Sequence, residues 1–313
     1  MTFCAQILIK CFLRNSQKKQ DIIKMTAGRG WGLYLENSVS LFMSAFNKIR
    51  KDINNDFVMN ISLSDKIEEL PEDEYYYGFS TANPDNMNRL IPAPFFINWA
   101  DCKINEYDEA CKEIYQEGLK EPQYETCFWS GNINTHKSRK LLYETYKNNK
   151  HFTLNSMDWI GNGVGLAGKP TSYISMKEQT KYKYLLDIRG NGWSGRIPFL
   201  LFTNRPLFYV ERETVAYFEK DLKPFVHYIP VKSNLTDLDE KYIWAQEHYD
   251  QAKQIAKNAL EYAQKHLTRA NAIDYYSKKI LECAYGGEVP VFIKKENSSF
   301  FRKFLSKIKN KFY

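Results

Sequence analysis

The sequence predicts an α/β protein with a parallel β-sheet. Short apolar segments alternate with segments of helical periodicity, and turns that contain glycine or proline separate them. The chain has 313 residues, more than the roughly 250 at which a single hydrophobic core stops growing, so we expect two domains. With 43% hydrophobic and 26% charged residues, the composition is typical of a packed globular protein.

Strands and helices alternate in the first half of the chain. Residues 37–53 place Val39, Phe42 and Phe46 on one stripe of a helix, and residues 56–65 predict a strand that ends in a turn. The other predicted elements are extended segments at 74–82 and 90–100, a helix over 105–120, a strand at 127–131 and a helix over 135–150. This alternation favours parallel strands joined by helices.

The second half repeats the pattern. Its predicted elements are strands at 181–188, 206–211 and 226–231, helices over 196–204 and 213–222, and three closing helices that begin near Thr236, Ala252 and Thr268. Between the halves, GNGVGLAGKPTS is rich in the glycine, proline and serine of linkers. We therefore place an N-terminal lobe at 1–165, a C-terminal lobe at 166–290 and a tail at 291–313.

The net charge of +7 does not indicate a nucleic-acid-binding protein. Five of the positive charges lie in the last twelve residues, which contain no acid: Arg302, Lys303, Lys307, Lys309 and Lys311. The rest of the chain lacks the distributed basic surface that nucleic acids require. We expect no nucleic-acid partner.

The six cysteines form no C-x-x-C pair, and we expect free thiols in a reducing compartment. The apolar run near the N-terminus is interrupted by Lys10 and has no basic segment before it, so we expect no cleavable signal. No run approaches the ~20 apolar residues of a membrane span. These features predict a cytoplasmic protein that starts at Met1 or at Met25.

The segment GNGWSGR, from Gly190 to Arg196, contains the spacing G-x-G-x-x-G between a predicted strand and a predicted helix. Glycines allow a backbone to approach a diphosphate, and a helix N-terminus attracts anions, so this context predicts a phosphate site. Glu211 follows Gly190 by 21 residues, a spacing at which a carboxylate could bind the ribose hydroxyls of NAD or NADP. This interpretation predicts an oxidoreductase. Arg189 and Arg196 instead favour a departing diphosphate, unless they pair with Glu211 or Glu213.

Residues 181–267 resemble the nucleotide-sugar half of glycosyltransferase family 90, the lipopolysaccharide-modifying and protein O-glucosyltransferase-like family. The resemblance rests on the segments KYKYL, R-G-x-x-x-S-x-R and LKPFVHYIPV. It implies a GT-B-like fold: two Rossmann-like lobes with a cleft between them, the donor on the C-terminal lobe and the acceptor mainly on the N-terminal one. It also implies a UDP-sugar donor with no cofactor and no metal, in agreement with the lack of a convincing D-x-D motif.

The resemblance also implies the donor-binding positions. They are Gly131, Asn132, Arg139, Arg189, Gly190, Asn191, Gly192, Ser194, Arg196, Glu211, Glu213, His227 and Tyr228. In FWSGNINTHKSR the family usually has an arginine where this chain has Ser130, and His136, Lys137 or Arg139 could supply the positive charge. Alternatively, Thr135 caps the helix that follows.

The strand at 56–65 is similar to the one that carries the family's proposed catalytic aspartate. This similarity makes Asp65 the candidate general base, which takes the proton of the acceptor hydroxyl in an inverting transfer. Asp101 in FINWADC is the alternative. Either residue could instead be a solvated aspartate in a turn.

The tail predicts a basic amphipathic helix that contacts an anionic membrane. The predicted contact residues are Phe300, Phe301, Phe304, Leu305, Lys307 and Ile308. The alternative is a terminal helix packed on the protein body.

The predicted function is therefore hexosyl transfer from a UDP-sugar to a lipid-linked acceptor, in lipopolysaccharide or a related surface glycan. It would take place at the inner face of the membrane, with the enzyme bound there peripherally. The alternatives are an NAD(P)-dependent oxidoreductase and a catalytically silent protein that binds nucleotide sugars or glycans.

Overall fold

The structure, a computed structural model, describes residues 6–12, 20–26, 32–53, 56–69, 76–157, 159–160, 169–170 and 172–285. The strands are β1 Gln6–Phe12, β2 Gln20–Thr26, β3 Phe57–Ser62, β4 Ser80–Thr81, β5 Tyr124–Gly131, β6 Phe152–Ser156, β7 Trp159–Ile160, β8 Lys169–Pro170, β9 Tyr182–Asp187, β10 Leu207–Val210, β11 Val215–Ala216 and β12 Ile229–Val231. The helices are α1 Gly32–Ile49, α2 Tyr107–Gly118, α3 Lys137–Tyr146, α4 Met176–Gln179, α5 Ile197–Leu200, α6 Leu238–Glu247, α7 Tyr249–His266 and α8 Arg269–Tyr285.

A five-stranded parallel sheet is built from strands between residues 124 and 231, in the order β12-β10-β9-β5-β6. Its strand β10 is a fully buried apolar run, as expected where helices and loops cover both faces of a parallel sheet. The first strand along the chain, β5, lies inside the sheet between β6 and β9. This is a doubly wound order, in which the direction of winding reverses between β5 and β9.

The sheet confirms the predicted mixed α/β class with parallel strands. It contains β5 and β6, which precede the predicted border at residue 165, as well as β9, β10 and β12, which follow it. The border therefore does not separate two sheets. The division into an acceptor lobe and a donor lobe stays a prediction.

The N-terminal strands differ from the parallel arrangement expected for the first half. β1 pairs with β2 and with β3, and both pairings are antiparallel. The segment 90–100, predicted to be a strand or an extended piece, forms a short 3-10 turn at Pro94–Phe96. Pro92 and Pro94 explain the difference, because they have no N–H to donate to a β-ladder.

The prediction of a helix over 213–222 is also wrong. Val215 and Ala216 pair with β4, and a 3-10 turn follows at Glu219–Asp221. The Ala216 N–H donates to a Glu219 carboxylate oxygen at 2.6 Å, which closes this turn without a helix. A contact distant in the chain thus overrides the local helical pattern.

The C-terminal helix α8 returns to the N-terminal region. The Ser277 hydroxyl donates to the Ala45 carbonyl at 3.0 Å, and the rings of Phe42 and Tyr276 meet edge to face at 5.9 Å. The Cys283 thiol donates to the Val58 carbonyl of β3. These contacts fix β3, and hence the residues that follow it, against the body of the protein.

Within the described residues, none of the helices combines the length and the apolar character that a membrane span requires. The predicted amphipathic tail at 291–313 lies outside the described residues, so its membrane contact stays a prediction.

Candidate functional site

A pocket of about 230 Å³ opens at the carboxyl ends of β5 and β9. These neighbouring strands continue in opposite directions across the sheet, β5 to β6 and β9 to β10. Doubly wound proteins bind ligands at such a switch point, because the diverging connections leave a crevice. Residues 130–132, Arg139 and residues 190–196 line this side of the pocket, and we call them the sheet wall.

The opposite side of the pocket comes from the first half of the chain. It is lined by Asp65, Phe95, Trp99 and Cys102, which we call the N-terminal wall. The rings of Phe95 and Trp99 are stacked, with centroids 4.3 Å apart. The sequence analysis did not predict these aromatic residues as part of a site, although the aromatic-rich segment FFINWA was a signal for them.

The glycine turn touches the N-terminal wall. A Cβ atom at Gly192 would lie 2.6 Å from the Asp65 carbonyl oxygen, and one at Gly195 would lie 2.4 Å from the Phe95 ring. Both distances are too short for non-bonded atoms, so a side chain at either position would collide with the wall. At these two positions, glycine permits contact between the walls.

The helix after the turn gives little support to a phosphate site of its own. α5 has four residues and continues as a 3-10 turn at Leu201–Thr203. A macrodipole needs several aligned turns, so its positive end is weak here. Any anion in the pocket must be held mainly by side chains.

Asp187, at the end of β9, organises the sheet wall and was not predicted. Its fully buried carboxylate accepts from Ser194 Oγ at 2.7 Å and pairs with Arg196 at 2.6 Å and Arg212 at 2.7 Å. Burial alone would raise the pKa of Asp187, but Arg196 and Arg212 outweigh it and hold the pKa below its ordinary value. The signal in the sequence was an aspartate that ends an apolar strand.

Arg196 therefore pairs with Asp187, and not with Glu211 or Glu213, the partners that the sequence analysis gave as the alternative to a diphosphate contact. Its second terminal nitrogen donates to the Ser130 carbonyl, which ties β5 to β9. Arg196 and Ser194 both line the pocket, as predicted for diphosphate contacts, but protein groups already occupy the hydrogen bonds just described.

Arg139 has no such partner. Its guanidinium donates to the carbonyls of Arg189 at 2.8 Å and Asn132 at 3.4 Å, and among the described residues no carboxylate lies within 4.0 Å of it. Burial and the nearby Arg196 lower the pKa of Arg139 to about 9. A partly buried cation without a counterion is costly, so this site favours an anionic ligand.

The loop before Arg139 differs in part from the prediction. His136 caps α3 by accepting from the Ser138 N–H at 3.2 Å, so Thr135 is not the cap. Thr135 lines the pocket, whereas His136 and Lys137 do not. Of the three predicted sources of positive charge, the structure brings Arg139 into the pocket.

Arg189 lies on the outer side of the glycine turn and does not line the pocket. It donates to the Asn191 carbonyl at 2.8 Å and lies 3.7 Å from the carboxylate of Glu213. The alternative pairing with Glu213 is therefore found for this arginine. These contacts brace the turn, and a role of Arg189 in donor binding stays a prediction.

Asp65 lines the pocket and Asp101 does not. Burial raises the pKa of Asp65, opposed by Lys66 and by a hydrogen bond with the Asn191 side chain. Burial also raises the pKa of Asp101. A raised pKa makes a carboxylate a stronger base near neutral pH, and only Asp65 combines it with a place in the pocket.

The structure leaves the remaining predicted donor contacts outside the pocket. Glu211 follows β10 and is exposed. His227 and Tyr228 precede β12 and therefore lie at the amino ends of the parallel strands, whereas the pocket lies at their carboxyl ends. Burial and Lys223 lower the pKa of His227, whose Nδ1 accepts from the Lys223 N–H. Roles of these residues in donor binding stay predictions.

In the described ranges, no group of three His, Cys, Asp or Glu side chains could hold a metal ion. Metal-independent transfer stays a prediction, because an absence of ligands in part of the chain does not test it.

The sheet is doubly wound, and a pocket with a cation that has no carboxylate of the described residues within 4.0 Å lies at its switch point, between β5 and β9. Residues 77–298 match the sequence profile described as "Glycosyl transferase family 90", which covers well over half of the chain. The chain belongs to glycosyltransferase family 90. The match extends beyond the resemblance at 181–267 on both sides.

Curated relatives agree with this membership. Protein O-glucosyltransferase 2 of Danio rerio is 31% identical over 154 residues, which are 48% of this chain and 31% of the relative. The O-glucosyltransferase rumi homolog of Aedes aegypti is 34% identical over 142 residues, 45% of this chain and 35% of the relative. The matches thus span about a third of the length of these relatives.

Among solved structures, Anabaena HepE in complex with UDP-glucose is similar at a TM-score of 0.34 and 10% identity. The similarity covers 55% of this chain and 44% of HepE. This score is too low to support an argument about fold or ligand.

Proposed function

We propose that this protein transfers a hexose from a UDP-sugar to an acceptor hydroxyl, with the diphosphate on the sheet wall and the acceptor on the N-terminal wall. The proposal rests on one observation: Arg139 lines the pocket at the switch point, and no carboxylate among the described residues pairs with it. The family membership supports the same reaction class. In this proposal, the two walls are the two sides of a GT-B-like cleft.

The proposed transfer is a single displacement. Asp65 accepts the proton of the acceptor hydroxyl as its oxygen attacks the anomeric carbon of the sugar. The bond between that carbon and the β-phosphate oxygen breaks, and its electron pair leaves with UDP. Arg139 stabilises the negative charge that grows on the diphosphate, and Arg196 adds to the positive field of the same wall.

Glucose is the proposed sugar, because the relatives named above are O-glucosyltransferases. Their names also favour a protein hydroxyl as the acceptor. The lipopolysaccharide or other surface glycan of the sequence analysis stays the second candidate, together with membrane attachment through residues 300–308. That candidate rests on the basic, apolar composition of the tail.

The geometry favours the transferase over an NAD(P)-dependent oxidoreductase. Gly192 and Gly195 are required by contacts with Asp65 and Phe95, so a dinucleotide is not needed to explain the glycine spacing. Glu211, which would hold a ribose, lies outside the pocket.

The test is ligand-induced stabilisation followed by turnover. UDP-glucose should raise the thermal midpoint of the purified chain and NAD or NADP should not, because a ligand that binds only the folded state stabilises it. UDP release from UDP-glucose, with water or an added acceptor, should then follow. Stabilisation by NAD alone would overturn the proposal, and stabilisation without any UDP release would leave a silent binding protein.

A further inference from the structure

A second cavity of about 460 Å³ lies between the turn before β12 and the helices α6 and α7. We call it the Phe225 groove, and its lining residues are Phe225, Trp244, Gln251, Gln254, Ile255 and Asn258. Phe225 precedes β12, so the groove lies towards the amino ends of the parallel strands, whereas Arg139 lies at their carboxyl ends. None of its lining residues takes part in the proposed transfer.

Phe225 is held at the surface in an unusual backbone conformation. Its φ is 57°, in the left-handed region that bulky residues rarely adopt, and 47% of the residue is exposed. The turn is well fixed, since the Phe225 N–H donates to the Tyr228 carbonyl at 2.8 Å and the His227 N–H donates to the Lys223 carbonyl at 2.9 Å. A strained turn that leaves about half of an aromatic residue exposed forgoes part of the stabilisation that full burial would give, which points to a ligand contact.

The ring of Phe225 meets that of Trp244 edge to face, with centroids 5.4 Å apart and an angle of 75° between the planes. Lys241 Nζ lies 5.6 Å from the centre of the Phe225 ring, and the His248 ring stacks on Trp244 at 5.4 Å, so the two rings form an apolar corner through the surfaces that these groups leave open. Such a corner suits a ligand with a flat face of C–H groups.

Amide side chains of α7 face this corner. Gln251, Gln254 and Asn258 are spaced by three and four residues, which places them on one face of the helix. Gln254 Nε2 donates to Asn258 Oδ1 at 2.9 Å. This bond leaves Gln254 Oε1 as an acceptor and Asn258 Nδ2 as a donor, with no further partner in the part of the chain that the structure describes.

We infer that the Phe225 groove binds a neutral saccharide, one hexopyranose unit of a glycan. The C–H face of a pyranose would stack in the aromatic corner, and its hydroxyls would exchange hydrogen bonds with the amides of Gln254 and Asn258. The lining residues carry no charge, which favours a neutral sugar over a phosphate or an acidic peptide. This site goes beyond the proposed transfer and does not depend on it.

The test uses saturation-transfer NMR on the full chain with cellobiose, maltose and lactose at millimolar concentration, in the presence of excess UDP. When the aromatic protons of the protein are irradiated, their saturation should pass to the C–H protons of at least one sugar. Phe225→Gly should weaken that binding at least tenfold while the thermal midpoint stays equal or rises, because glycine relieves the strained φ. Asn258→Leu should weaken binding similarly.

Gln264→Leu is the matched control, since Gln264 is an exposed glutamine of the same helix outside the groove. It should bind the sugars as the wild type does, and so should Arg139→Met, which separates this site from the proposed transferase pocket. The inference is overturned if none of the three sugars binds, or if Phe225→Gly binds them unchanged. A dimer that Phe225→Gly dissociates in sedimentation would also overturn it, because the occupant would then be a second copy of the chain.

Discussion

The two walls of the pocket carry opposite chemistry. The sheet wall has the cations Arg139 and Arg196, while the N-terminal wall has the carboxylate of Asp65 beside stacked aromatic rings. A displacement that releases a diphosphate needs positive charge at the leaving group and a base at the incoming hydroxyl. The contrast therefore divides the reaction between the walls, and each half can be tested separately.

The largest expected effect comes from removing the base on the N-terminal wall. Asp65→Asn should lower kcat by about 10²–10⁴-fold, the usual contribution of general base catalysis, with UDP-glucose binding unchanged. Because burial raises the pKa of Asp65, wild-type kcat should fall as the pH drops through that pKa. A pH profile of UDP release measures both effects.

Asp101→Asn is the control for this assignment. Asp101 lies outside the pocket, so its variant should keep wild-type kcat and pH profile. If Asp101→Asn is the inactive variant, the base lies there and the N-terminal wall has been assigned wrongly.

The next largest expected effect is on stability, and it differs between the two arginines of the sheet wall, Arg196 and Arg139. Arg196→Met leaves the buried Asp187 carboxylate short of one partner, and breaking a buried pair costs about 3–5 kcal/mol of unfolding free energy. We expect a marked loss of stability in denaturant unfolding, rather than the intact fold that a purely ligand-binding arginine would leave.

The pH dependence of this loss has a definite sign. The folded-state pKa of Asp187 lies below its ordinary value, so the ion pairs stabilise the protein above the unfolded-state pKa and this stability is lost as the pH falls. The difference between Arg196→Met and the wild type should narrow in acid. A difference that is constant with pH would indicate lost packing alone.

Arg139→Met should have the opposite effects to Arg196→Met: a smaller loss of stability and a clear loss of UDP affinity. No carboxylate among the described residues pairs with Arg139, so its removal should cost less stability than removal of Arg196, because it loses hydrogen bonds to backbone carbonyls and breaks no buried ion pair. A charge-assisted hydrogen bond to a diphosphate contributes about 1.5–3 kcal/mol, so UDP binding should weaken roughly ten- to hundredfold. Titration calorimetry with UDP measures this change, with Lys137→Met as the control for a neighbouring cation that does not line the pocket.

Much of the sheet was predictable from the sequence, because buried parallel strands contain apolar runs, such as residues 184–186 of β9 and the whole of β10. The glycine turn and Asp65 were also found as candidates. The partner of Arg196 was not, since the sequence suggested only Glu211 or Glu213 as alternative partners, and it is tertiary packing that brings Asp187 to Arg196. The antiparallel pairing of β1 with β3 likewise depends on contacts far apart in the chain.

The smallest expected effect concerns the contact between the walls. Gly192→Ala places a Cβ atom 2.6 Å from the Asp65 carbonyl oxygen, a backbone atom that cannot move aside as a flexible side chain would. Overpacking of this kind costs about 1–3 kcal/mol, so the thermal midpoint should fall by several degrees. Gly190→Ala is the matched control, because its Cβ would lie at an ordinary 3.4 Å from Thr135 and Arg139. Equal midpoints for the two variants would mean that the walls do not touch at Gly192, and the division of chemistry between them would lose its structural basis.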